Sequence, residues 1–523
     1  MSAFNLLDSL ACSNPFPVYG RLRKEDPVHR SPTGIWALSR YCDVASALRD
    51  ERFSSRPSRF SALSERNVSR SPAAAVAASI LTFRDPPEHT RLRKLLARVI
   101  SDNLATSLRD RVAELADELL APHLARGEID LLNDFAIPLP VHVMADMLGI
   151  DAADRPRLKH WSERFFRIFA PVRSSGDLAD VNAAINEFRG YLFALVAERR
   201  KSPGRDVISS LIRVREQDDR LSDDELVNAC MLLFANGEES FAHLIGNGVL
   251  ALLHHPASLE ALIEEPSRLP RAIEELVRYD GPAPIVGRTL LAPVELHGRT
   301  IPAGAPVYLL LASANRDEDR FTDPDRLDVL REDNPHLGFG GGRHACLGAG
   351  IARIEAQVAL SRLFEQTRNL ALATDRLAWR PDIFLRGLQA LPFAFHPDRN
   401  QAMYTISKRF HFSASHIIEG LPADHQCGRL HGHNYEVEIV LAAEKLDKVG
   451  FVVDYGDLKP FKAILDDELD HRHLNDIVPG NTTAEAIAEW LHGRAKAIWP
   501  QVVAVRVSET PRTWAEYRPR TDI

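Results

Sequence analysis

The sequence predicts a two-domain chain: a mainly α-helical domain of nearly 400 residues, followed by a smaller α+β domain. Three observations carry this. Long apolar patterns of helical period dominate the residues before 400, a stretch rich in Arg, Leu, Ala and Pro. After residue 403 the pattern changes to alternation of period two. Eight of the twenty histidines fall after residue 410, so the available chemistry changes where the pattern does. A length of 523 residues is too great for one ordinary domain, and 45% hydrophobic with 26% charged residues is the balance of a soluble globular protein. The net charge of -8 gives no reason to expect nucleic-acid binding. The five cysteines (Cys12, Cys42, Cys230, Cys346, Cys427) are odd in number and widely spaced, so no disulfide framework is implied. The start, M-S-A-F-N-L-L-D-S-L, lacks the basic residues and apolar core of a signal peptide, and no apolar run approaches the ~18 residues of a membrane span. A cytoplasmic protein is expected.

In chain order, helices are expected over Glu88–Ser101, Ser107–Ala125 and Val181–Arg199. The longest follows: S-D-D-E (Ser222 to Glu225) is a capping box opening a helix that can run to His255, where Pro256 stops it. At 1.5 Å per residue it is about 50 Å long, enough to cross a domain. A further helix covers Pro270–Arg278, and strand-like runs before 400 are confined to Pro293–Ile301 and Pro306–Leu311. After the boundary, Tyr404–His416 and Asn434–Ala442 read as half-buried strands, Asp457–Leu469 and Thr483–Ile498 as helices, and Val502–Ser508 as a last strand. The expected division is 1–398, a short polar linker at 399–402, and 403–523.

Two segments carry chemistry. F-G-G-G-R-H-A-C-L-G-A-G (Phe339 to Gly350) presents Cys346 on a glycine-rich loop entering a helix N-terminus, where backbone donors can steady a thiolate. Gly340-x-Gly342-x-x-Ala345 formally fits a dinucleotide fingerprint, but the lead-in R-E-D-N-P-H-L is no strand. A buried inert thiol is the ordinary alternative for a single cysteine. Three other segments oppose it: E-x-x-R at Glu275 and Arg278, one helical turn apart, D-P-P-E-H-T-R-L-R with His89 and Arg93 at i,i+4, and G-R-T with Arg288. In order and spacing, residues 1 to about 398 resemble the bacterial soluble cytochrome P450 family of haem-thiolate monooxygenases. The resemblance implies haem b with Cys346 as axial iron ligand, His89, Arg93, Arg288 and His344 as propionate partners, and Glu275–Arg278 as a structural pair. The family's oxygen-site segment falls on Asn236-Gly237-Glu238-Glu239-Ser240. Glu239 takes the place of the proton-delivering acid. Ser240 stands where a threonine is usual and Asn236 where a small residue is, which is either a tolerated variation or altered oxygen activation. Electrons would come from separate proteins of the ferredoxin and ferredoxin reductase type, and the haem substrate is not readable.

The second segment is C-G-R-L-H-G-H (Cys427 to His433), preceded by His416 and followed by Asp470 and His471. His431 and His433, at i,i+2, point to one face of a strand. Three imidazoles leave a fourth position open, the catalytic zinc pattern, whereas Cys427 as a fourth ligand would make a closed structural site. F-S-A-S-H, C-G-R-L-H-G-H-N-Y, L-D-H-R-H-L-N-D, N-T-T-A-E and V-S-E-T-P, in that order, resemble the superfamily of 6-pyruvoyltetrahydropterin and 6-carboxytetrahydropterin synthases. That resemblance implies a tunnelling fold (T-fold): a four-stranded antiparallel sheet with two helices, forming homo-oligomers with sites at subunit interfaces. It implies zinc on His416, His431 and His433, catalysis by Cys427 with Asp470 and His471, and a pterin anchored by Glu509. The compact cysteine motif resembles the carboxy-forming bacterial branch, which converts 7,8-dihydroneopterin triphosphate with release of acetaldehyde and triphosphate toward 7-deazaguanine and queuosine-type products. Pyruvoyl formation and a non-catalytic pterin-binding or assembly scaffold are the alternatives. Neither half is expected to bind nucleic acid or membrane.

Overall fold

Ser222 and Glu225 cap each other reciprocally, and the helix they open runs over Asp223–Leu253, 31 residues, two short of the expected end at His255. A computed structural model describes residues 13–519 apart from 59–60, 170–174, 215–218, 375, 398–403, 423–424, 444–445 and 511–512. The linker expected at 399–402 lies outside the described residues. The chain divides into two units, 1–398 and 399–523.

In the first unit the long helix belongs to two cores in succession. Leu226 to Ala235 pack with Trp161, Phe165 and Phe188 in one apolar cluster, and Phe241 to Leu252 pack with Leu132, Leu276 and Phe364 in another. The five residues Asn236 to Ser240 belong to neither. The helix expected over 88–101 ends at Ala97, and a separate turn of helix covers Asp102–Ser107, because Ser101 caps a new start by accepting from the Leu104 amide. The others appear as Arg109–Leu124, Ser175–Lys201 and Leu269–Asp280, within a few residues of expectation at most ends. Strands are not confined to two runs. A five-stranded sheet joins Val28–Arg30, Trp36–Leu38, Pro306–Leu310, Ile285–Leu290 and Phe53–Ser54, in that spatial order. The run expected over Pro293–Ile301 is a hairpin, broken at His297 and Gly298, both of positive φ.

The second unit is a four-stranded antiparallel sheet in sequence order, Tyr404–His416, His431–Ala443, Val502–Thr510 and Thr513–Tyr517. The fourth strand was not visible in the alternation. Tyr435, Val437, Ile439 and Leu441, two apart along one strand, are wholly buried against Phe461, Leu465, Ile487 and Leu491 of the covering helices. The helix expected over Asp457–Leu469 is three consecutive turns of different pitch, ending in a wide turn over Leu465–Leu469 that delivers Asp470. Among the described residues no helix is long and apolar enough to cross a membrane.

Candidate active sites

The cysteine loop is shaped by its glycines. Gly340 and Gly342 have φ of 70° and 62°, and a Cβ at Gly342 would run into the Leu48 carbonyl. The loop closes with the Cys346 amide donating to the Phe339 carbonyl at 2.9 Å, and the helix Ala349–Gln366 starts three residues later. Protein atoms surround Cys346 closely enough to push its thiol up by desolvation, while the Gly348 amide and Arg93 pull the other way. The side chain is nevertheless exposed. A residue both desolvated and reachable lies on the wall of a concavity.

Around that wall stand the other expected residues. Arg93 donates to the Ala345 carbonyl at 2.8 Å, tying its helix to the loop. The His89 and His344 rings lie 4.2 Å apart, and each has a buried Nε2 without a partner. Burial pushes His89 down to about 4 and His344 down to about 3, so the positive charge here sits on the arginines and the imidazoles contribute N–H donors. Burial also lowers Arg288, to about 10, and its hydrogen bond is to the neighbouring Gly287 carbonyl at 2.8 Å. Desolvated arginines and orphaned imidazole nitrogens beside a thiol form the donor set that a haem with two carboxylate arms requires. The residues fit it.

Glu275 and Arg278 are buried and paired through two 2.7 Å bonds. The network extends to Arg331, the Asp328 amide and the carbonyls of Asn315, Pro324 and Arg326. In the oxygen-site segment the Ser240 hydroxyl donates to the Asn236 carbonyl at 2.6 Å, so hydroxyl and carbonyl engage each other inside the helix. Glu239 is buried and raised by desolvation, opposed by Arg380 at 3.3 Å. His243 lies 3.8 Å from the same carboxylate. Two residues here escaped the sequence. Arg380 stands 141 positions from Glu239 and carries no local signal. Glu238, pushed up to about 8 by burial, hydrogen-bonds Ser162 on another helix. Phe83, Phe165, Phe166 and Phe169 form a contiguous aromatic group in this unit.

In the second unit the strand register sets His416 opposite His431 and Ala414 opposite His433. One nitrogen from each of the three histidines lies within 4.8 Å of the others. His416 Nδ1 donates to the Thr482 carbonyl at 2.8 Å and His431 Nδ1 to the Arg429 carbonyl at 2.7 Å. A carbonyl can only accept, so in the neutral rings both Nε2 atoms carry lone pairs, and they face each other at 3.0 Å. Facing lone pairs on anchored imidazoles are the donor set of a divalent metal site, so the residues fit zinc. Cys427 is half-buried and not part of this cluster; its amide donates to His425 at 3.2 Å. Asp470 accepts from the Ser413 amide at 2.7 Å and from His471 Nδ1 at 2.8 Å, and the amide bond, then the imidazole, hold its carboxyl low. His471, at φ 56°, is 82% exposed, so its Nε2 is free to approach a ligand. Glu509, the penultimate residue of the third strand, has a buried Oε1 lacking a partner. The Tyr435 hydroxyl, also buried and unpartnered, senses that carboxylate and is pushed up, mainly by burial. Tyr435 was not singled out in the sequence, although it sits two residues past His433.

Residues 28–372 match the cytochrome P450 family, and residues 405–520 match the 6-pyruvoyl tetrahydropterin synthase family. The vitamin D(3) 25-hydroxylase of Pseudonocardia autotrophica is 42% identical over 393 residues, covering 73% of this chain and 94% of that protein. The crystal structure of P450BioI in complex with an acyl carrier protein ligated to hexadec-9Z-enoic acid superposes with a TM-score of 0.69 at 33% identity, over 74% of this chain and 99% of that one. The cytochrome P450 enzyme CxnD, for C-S bond formation in chuangxinmycin biosynthesis, gives 0.65 at 36% identity, over 73% and 94%.

Proposed function

The chain belongs to the cytochrome P450 family through its first domain and carries a 6-pyruvoyl tetrahydropterin synthase family domain after it, and on that premise we propose a bifunctional enzyme. The first domain is a haem-dependent monooxygenase. The second is a zinc-dependent 6-carboxytetrahydropterin synthase, converting 7,8-dihydroneopterin triphosphate to 6-carboxy-5,6,7,8-tetrahydropterin with release of acetaldehyde and triphosphate, in a 7-deazaguanine or queuosine-type pathway. The observation that carries the second assignment is the three-histidine cluster with Cys427 outside it, in a domain that also holds an intact Asp470–His471 pair. Zinc on His416, His431 and His433 would polarise the oxygens of the substrate side chain. Asp470 fixes His471 with Nδ1 protonated, leaving Nε2 to take and return a proton, and Cys427 is the second proton carrier. The unpartnered Glu509 oxygen would accept from the amide and amine edge of the pterin.

In the first domain Cys346 would ligate the iron, with Arg93, Arg288, His89 and His344 toward the propionates. The bound haem supplies oxygen activation, fed by a ferredoxin and its reductase. Glu239, held by Arg380 and His243, hands protons inward, and Ser240 offers a hydroxyl beside it. The relatives named above include a hydroxylase and an enzyme of C-S bond formation, so coupling chemistry is as open to this fold as hydroxylation. The second domain serves a dedicated pathway whose downstream product the haem domain oxidises. Incubating the purified protein with 7,8-dihydroneopterin triphosphate and following acetaldehyde tests the core assignment: release supports it, and conversion without acetaldehyde points to pyruvoyl formation. Binding without conversion leaves the scaffold.

A further inference from the structure

Between the cysteine loop and the helix Leu269–Asp280 lies a linked set of four side chains. Glu274 receives Arg353 through two bonds, Nε at 2.7 Å and a terminal nitrogen at 2.8 Å. It also receives His336 Nε2 at 3.1 Å. That nitrogen is the donor, because His336 Nδ1 already accepts from the Gly338 amide at 3.1 Å. Both partners of Glu274 then meet one ring: the Arg353 guanidinium is 4.7 Å from the Phe339 centroid, and the His336 ring is 5.9 Å from it. The Phe339 carbonyl accepts the Cys346 amide. Arg353 sits on the helix that begins just after Cys346, and its charge favours the thiolate. Burial works against ionisation of Glu274, yet the bonds from Arg353 and His336 hold its carboxyl down at about 2, so Glu274 is ionised at working pH and grips Arg353 as a full ion pair.

We infer that Glu274 is a positioning residue for the axial thiolate: by gripping Arg353 and His336 against Phe339, it fixes both a positive charge and the carbonyl that anchors the cysteine loop. The inference rests on Cys346 as the iron ligand. A bidentate fork is what makes the charge stationary, since a lysine at the same place would be a mobile point charge. The consequence is electrostatic: a fixed cation stabilises the reduced, more negative haem-thiolate unit relative to the oxidised one.

The test uses full-length holoprotein without substrate, with spectroelectrochemical titration of the one-electron ferric/ferrous couple. Arg353→Gln is expected to lower the midpoint potential by the equivalent of at least a tenfold change in the reduction equilibrium, about 59 mV for one electron. Arg353→Lys is expected to fall between the two. Glu274→Gln, which keeps shape but loses the grip, is expected to lose the red-shifted Soret band of the carbon monoxide adduct faster than the parent. An ordinary structural ion pair would lower the melting temperature and leave the potential and the band lifetime unchanged, and that result in both the lysine and glutamine variants overturns the inference. If the parent protein itself lacks the red-shifted band, it is the Cys346 assignment that fails.

Discussion

Zinc removal and Cys427→Ala separate the open from the closed metal site. Each of the imidazoles of His416 and His431 is held by a carbonyl on its Nδ1, which leaves the two Nε2 atoms converging. At a metal concentration 1,000-fold above its dissociation constant, binding stabilises the folded domain by about 4 kcal/mol. For a domain of this size, at roughly 3–4 °C per kcal/mol, chelation should lower the second melting transition by about 12–16 °C. Cys427→Ala leaves all three imidazoles and both anchoring carbonyls in place. It should therefore keep one zinc per chain and the parental melting temperature, while acetaldehyde release falls by about 10²–10⁴-fold, the usual weight of a proton-transfer group. His431→Ala should lose both metal and turnover. Metal content by mass spectrometry after gel filtration, calorimetry with and without chelator, and a coupled acetaldehyde assay give the three readouts. A zinc-free Cys427→Ala protein would make the cysteine a ligand and refute the open site.

Four further outcomes follow from the geometry. Cys346→Ala should abolish the red-shifted Soret band of the reduced carbon monoxide complex, and an unchanged spectrum would remove Cys346 from its role. Glu275→Ala strands the buried Arg278 guanidinium and should destabilise the first domain by about 3–5 kcal/mol in denaturant titration, with the second domain unaffected. Glu238 ionises near 4.5 when unfolded but near 8 when folded, so the folded state holds the extra proton between those values and stability falls as pH rises through that window; Glu238→Gln should flatten the slope of unfolding midpoint against pH. Cleaving near Arg399 and comparing separated with joined halves should lower pathway flux at equal concentration, because tethering raises local concentration. Equal flux would leave the fusion without a catalytic purpose.

The parts legible in the sequence were those whose cause is local. Ser222 with Glu225, Cys346 with its glycines, and His431 with His433 are each complete within a few residues, and each appears as expected in form. Strands of two or three residues, such as Phe53–Ser54 and Val28–Arg30, are too short to show a period, and most of the five-stranded sheet was invisible for that reason. The turn that delivers Asp470 was hidden because a change of helical pitch leaves the apolar spacing nearly intact. Arg380 with Glu239, Arg353 with Glu274, and Ser413 with Asp470 are pairings made only by tertiary packing, and one sequence alone carries no trace of them.

The long helix of the first domain is packed at each end into a different apolar body, and residues 236–240 between them are held by polar contacts instead, Glu238 to Ser162 and Glu239 to Arg380. A beam held at two fixed ends registers any settling of either support in the stretch between them. Trp161, Phe165 and Phe188 on one side, and Leu276 and Phe364 on the other, are such supports. Repacking any of them should shift the segment that carries Glu239 and Ser240, even though none belongs to it. The alignment of two packed masses would thus bear on the geometry of Glu239 and Ser240, which gives remote core positions a route to the segment proposed to serve oxygen activation.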